Sequence, residues 1–119
     1  MRRIIFVCLL FLVYMEAISQ TMDTHTTTIF WDTSISMQDR DLEKDFGILE
    51  KIFARTPDQE VKVVYFNITA EIVDYSIREG NWDLLKKDLS KVTYDGANVY
   101  TILEELAGPS NNYLFTDGR

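Results

Sequence analysis

Short unbroken apolar runs along this chain alternate with stretches in which apolar residues recur every three or four positions. That alternation predicts strands interleaved with helices. Ile29, Phe30 and Trp31 form the first such run after a Thr-rich lead (Thr24 to Thr28), and it stops abruptly at Asp32. Continuous apolarity of this kind predicts a strand buried on both faces. Residues 32–37 (DTSISM) read as a polar loop. A helix is predicted from about Asp39, taken as its N-cap, because Leu42, Phe46, Leu49, Ile52 and Phe53 share one stripe. Pro57-Asp58 ends that helix, and residues 61–66 (VKVVYF) predict a second strand. Asn67-Ile68-Thr69 reads as a tight turn into a third, more polar strand over 70–77, antiparallel to the second and at the sheet edge. After the break at Gly80-Asn81, Trp82, Leu85, Leu89 and Val92 form another helical stripe. Residues 93–97 are a loop, and Val99, Ile102, Leu103 and Leu106 predict a third helix closed by Gly108-Pro109. Residues 112–116 predict a last strand, running into Asp117-Gly118-Arg119.

Strand–helix–strand units of this length imply an α/β fold with a mainly parallel sheet and helices on its faces. Ligands of such sheets bind at the carboxyl ends of strands, where the strand order reverses. Asp32 and Asp117 each directly follow an apolar strand. Both are therefore expected at that edge.

The first residues have a different logic. Arg2 and Arg3 precede an apolar run from Ile4 to Met15, and Glu16-Ala17-Ile18-Ser19 follows with small residues at the positions a signal peptidase reads. This pattern predicts a secretory signal peptide over residues 1–19, cleaved between Ser19 and Gln20, and an exported domain over 20–119. The run is too short to span a bilayer as a helix. Phe6-Val7 before Cys8 are too large for a lipoprotein cleavage site. Cleavage removes Arg2, Arg3, Glu16 and the single cysteine, so the remainder is more acidic and free of thiols. Such a domain is stabilised by packing or by metal, not by disulfides. The expected location is the periplasm, the outer envelope or the extracellular space.

Composition narrows the function. Twelve Lys and Arg against 19 Asp and Glu give a net charge of −7, which argues against a nucleic-acid partner, because phosphate binding needs a basic face. One His and one Cys in 119 residues exclude a Cys/His zinc site and a CxxC redox pair within the chain. Enzymatic chemistry finds little support. Position 34 is Ser where an aspartyl phosphatase would need the second Asp of D-x-D, and G-x-S-x-G and P-loop motifs are missing. His25 lies in the polar lead and reads as solvated. The charge run from Asp39 to Asp45 reads as a solvated helix face, and Trp31 and Trp82 read as core. Asn67-Ile68-Thr69 matches an N-glycosylation acceptor, although Asn is expected in such a turn in any case.

Asp32-Thr33-Ser34-Ile35-Ser36 fits D-x-S-x-S after a strand, Met37 follows, and Thr116-Asp117-Gly118 fits T-D-G after a later strand. With the intervening helix and hairpin, residues 26–119 resemble a von Willebrand factor type A (vWA) domain. The resemblance implies a doubly wound, Rossmann-like sheet of order 3-2-1-4 over the strands present, with the hairpin strand as an antiparallel edge. It also implies a metal-ion-dependent adhesion site, usually holding magnesium, that binds a protein ligand. The chemistry of the residues is compatible. Magnesium favours six oxygens and retains several waters. Ser34 and Ser36 can turn both hydroxyls toward one point, while Asp32 and Asp117 supply charge through water or through hydrogen bonds to those hydroxyls. Neutral hydroxyl ligands leave the ion electrophilic, so a partner's carboxylate can complete its shell. In the alternative reading, Asp32 and the serines cap the following turn and helix, and the domain is a metal-free structural segment.

Two features depart from the family. The third loop usually carries Thr after two small residues, whereas this chain reads Asp95-Gly96-Ala97-Asn98. Taking Gly96-Ala97 as the small pair puts Asn98 at the Thr position; a shift of one residue puts Ala97 there. The family sheet also continues past T-D-G, so the fourth strand is expected to need neighbours that follow Arg119. The stretches IFWDTSISMQDRDLEKDF, YDGANVY and LFTDGR resemble N-terminal segments of larger bacterial envelope proteins that continue into carboxypeptidase-regulatory-like or receptor-plug domains.

Overall fold

The computed structural model describes residues 25–108 and 111–116. The signal-peptide and cleavage positions, Cys8, Pro109 and Asp117 lie outside these residues. The described chain runs β1 (Thr26–Asp32), a 3-10 turn (Ile35–Met37), α1 (Leu42–Arg55), β2 (Gln59–Phe66), β3 (Ala70–Ile77), α2 (Asp83–Ser90), α3 (Thr101–Leu106) and β4 (Asn111–Phe115). Four strands form one mixed sheet of order β3-β2-β1-β4. β1 is parallel to both β2 and β4, and β3 is antiparallel to β2. The α/β class and the antiparallel edge strand agree with the sequence pattern, and the strand order agrees with the one the resemblance implies.

Alternation along β1 explains the layers, because successive side chains of a strand point to opposite faces. Ile29 and Trp31 face one side, where they join Val61, Val63, Tyr75, Ile77 and Phe115 in a core closed by Leu49 and Phe53 of α1 and Leu85 and Leu89 of α2. Phe30 faces the other side with Val64 and Phe66, covered by Ile102, Leu103 and Leu106 of α3. Helices thus cover both faces. Each fully buried aliphatic or aromatic side chain here contributes about 1.5–3 kcal/mol. Both tryptophans are core residues: Trp31 is inaccessible and Trp82 nearly so.

Several boundaries differ from the expectation for identifiable reasons. The N-cap of α1 is Asp41, whose carboxylate accepts the Lys44 N–H at 3.0 Å, rather than Asp39. The residues before it are held in the 3-10 turn, with the Arg40 N–H donating to the Met37 carbonyl. β1 starts three residues earlier, and β2 two, than the apolar runs suggest. The reason is a buried polar pair: the Thr27 hydroxyl donates to Gln59 Oε1, and Gln59 Nε2 donates to the Thr56 carbonyl. The third helix begins only at Thr101, because the Val99 N–H is committed to the Asn67 carbonyl. His25 is half-buried, with Nε2 3.3 Å from Asn111 Nδ2. Among the described residues no helix is long and apolar enough to cross a membrane.

Candidate metal site

The carboxyl ends of the parallel strands β2, β1 and β4 meet at one edge of the sheet. There the chain leaves β1 through residues 32–37 and β4 through Thr116. Asp32 is fully buried. Its Oδ1 accepts the Ser34 N–H at 2.9 Å. Its Oδ2 accepts the Thr116 hydroxyl at 2.7 Å and an Asn98 amide N–H at 3.1 Å. Burial pushes the Asp32 carboxyl upward, but hydrogen bonds from Thr116, from the hydroxyl and backbone of Ser34, and from Asn98 outweigh it and hold the group below the usual carboxylate range. Asp32 is therefore an anion in the folded protein near neutral pH.

The two serines follow directly. Ser34 Oγ lies 3.1 Å from Ser36 Oγ, and both residues line a cavity of about 200 Å³ shared with Ile35, Gly96, Ala97 and Asn98. The second wall is docked by backbone bonds. Ile35 N donates to the Gly96 carbonyl, and Asp95 N donates to the Thr33 carbonyl, each at 2.9 Å. Gly96 has φ of +70°, a left-handed conformation that suits glycine. Asn67 anchors the same loop from the hairpin: its Nδ2 donates to both the carbonyl and the carboxylate of Asp95.

Four of the five expected site residues, Asp32, Ser34, Ser36 and Asn98, are thus brought together. The fifth, Asp117, lies outside the described residues, directly after Thr116, which touches Asp32. Thr116, the first residue of T-D-G, contributes its hydroxyl to Asp32. Two further participants escaped the sequence reading. Tyr100 receives the other Asn98 amide contact at 2.9 Å and lies 3.3 Å from Thr116 Oγ1. Arg40, read as part of a solvated charge run, has a side chain only 2% exposed and packs beneath the site.

The donor chemistry suits a hard cation. Two hydroxyls 3.1 Å apart match the edge of an octahedron whose ligands sit about 2.1 Å from the ion, since adjacent ligands are then about 3 Å apart. Among the described residues no three His, Cys, Asp or Glu side chains cluster. A site here would rest on hydroxyls, an amide and few carboxylates, and would keep bound water, as magnesium does. No model of a known protein family matches the chain, and no curated protein aligns with it.

Proposed function

We propose that this chain carries a vWA-type, doubly wound binding module of an exported protein, one that takes a carboxylate-bearing protein ligand through magnesium. The observation that carries this reading is the meeting of the D-x-S-x-S loop, Asn98 and Thr116 at the carboxyl ends of two adjacent parallel strands. In it, the Ser34 and Ser36 hydroxyls would hold the ion, with Asn98 beside them and Asp117 following Thr116. Buried Asp32 orients the Ser34 loop and supplies negative charge. When bound, the ion supplies positive charge for the partner's carboxylate, and the neutral hydroxyls leave that charge only partly spent. This is binding chemistry rather than turnover. A larger envelope protein is the natural setting for such a module.

Titration calorimetry of the protein with magnesium chloride tests the reading. Wild type should take up one ion, Asp32→Ala should lose most of that binding, and Ser34→Ala should lose less. Equal affinity in wild type and Asp32→Ala would overturn it.

A second reading is favoured by a specific observation: both Asp32 oxygens already have partners, and the two serine hydroxyls are within hydrogen-bond distance of each other. In that reading the cluster is a metal-free structural lock. It predicts no heat of magnesium binding and a large loss of stability in Asp32→Ala.

A further inference from the structure

The side chain of Arg40 is almost wholly buried, yet it lies in a polar, charge-rich segment just before α1. All three guanidinium nitrogens have partners. One terminal nitrogen donates to the Asp32 carbonyl at 2.9 Å and the other to the Phe115 carbonyl at 3.0 Å. Nε donates to Asp45 Oδ2 at 3.0 Å, which balances the charge. The guanidinium carbon lies 3.8 Å from the centre of the Trp31 ring, a cation–π contact.

Those two carbonyls occupy a particular place. Trp31 and Phe115 are the last residues that β1 and β4 pair with each other, so beyond them that ladder supplies no partner. Asp32 opens the serine loop, and Phe115 directly precedes Thr116. The third strand end is tied differently: the Phe66 carbonyl accepts the Thr33 N–H at 2.7 Å and the Thr33 hydroxyl at 3.0 Å. One rigid fork therefore sets the separation of the two strand ends from which the candidate site hangs.

We infer that Arg40 is a positioning residue for the metal site: its guanidinium bridges the ends of β1 and β4 and so sets how the serine loop faces Thr116. This inference rests on the magnesium reading for its functional meaning, while its geometric content stands apart from it. A lysine would keep the charge, but an ammonium presents a point rather than a planar fork. Charge and geometry can thus be separated.

The experiment compares wild type, Arg40→Lys and Asp45→Asn as full chains. It measures magnesium affinity by calorimetry, hydrogen exchange at the Ser34 amide, and thermal melting. Arg40→Lys should bind magnesium about tenfold more weakly, the scale of losing a group that orients metal ligands, and should exchange the Ser34 amide about tenfold faster. Asp45→Asn keeps the fork on both carbonyls and should stay within about twofold of wild type in both readouts, even where it melts earlier. Should Arg40→Lys fail to melt cooperatively, Arg40→Gln, which can still reach one carbonyl, carries the same expectation. A folded Arg40→Lys with wild-type exchange at Ser34 overturns the inference. Wild type without magnesium binding overturns the metal reading instead, and the exchange arm still decides the role of Arg40.

Discussion

Asp32 carries two loads: a buried negative charge and the geometry of the turn that follows it. Its carboxyl titrates below the ordinary range in the folded chain, so the unfolded chain binds the proton first as pH falls. The resulting stability is fully present above the ordinary carboxylate range and is lost as pH drops through the folded value. Thermal melts from pH 7 downward should therefore show a steep acid limb below about pH 4, and Asp32→Asn should flatten it. An unchanged limb in that variant would assign acid unfolding to other carboxylates. Asp32, Ser34 and Ser36 could be read from the chain because D-x-S-x-S is a local pattern on one loop. The Thr116 contact could not, since it joins residues 84 positions apart. Arg40 was hidden for another reason. Asp39, Arg40 and Asp41 alternate in charge within a polar stretch, and nothing local tells which of them turns inward beneath a strand end.

Among the elements, α1 was legible in its strong apolar stripe of Leu42, Phe46, Leu49 and Phe53, and β3 in the turn of residues 67–69 that sets it off. The ends of β1, β2 and α1 were not, because polar contacts decide them. Thr27 and Gln59 extend two parallel strands by satisfying each other inside the core. The loop from Asp95 to Asn98 carries the least periodic signal and the most positional demand. Gly96 there combines φ of +70° with a carbonyl that accepts the Ile35 N–H. An added Cβ would meet only the Asn67 amide and Ile68 at 3.8 Å, so space is not the obstacle and backbone strain is. Gly96→Ala should cost about 1–2 kcal/mol, the usual penalty for a left-handed L-residue, as measured by denaturant unfolding. Within the reading above it should also weaken magnesium binding, because the strained loop shifts Asn98 against Asp32. A neutral effect on stability would show that the loop can relax without glycine.

At the scale of the whole molecule, the edge of the sheet is sewn to α2 by a chain of oxygens. Tyr65 and Tyr75 hydroxyls lie 3.0 Å apart, and the Tyr75 hydroxyl donates to Asp88 Oδ2 at 2.7 Å. Burial, the Tyr65 contact and the bond to anionic Asp88 all push the Tyr75 phenol far up, and burial pushes Tyr65 up as well. Unfolding lets both ionise at their ordinary value, so stability is intact below about pH 10 and declines above it. A groove of about 470 Å³ lined by Tyr65, Tyr75 and Asp88 opens this chain to solvent. Tyr75→Phe should flatten the alkaline limb of a pH–stability curve while lowering stability at pH 7; a wild-type limb in that variant would place the alkaline transition elsewhere. The strand order has a further consequence, in time rather than in space. β2 and β3 join through a turn of residues 67–69, whereas β1 must wait for β4 from the far end of the chain. Closing a long loop costs more entropy than closing a short one, so the hairpin should form early and the β1–β4 seam last. The cluster around Asp32 straddles that seam. Within the magnesium reading proposed above, a bound ion would therefore act chiefly as a brake on the departure of β4, lengthening the lifetime of the folded chain and leaving the speed of its formation nearly untouched.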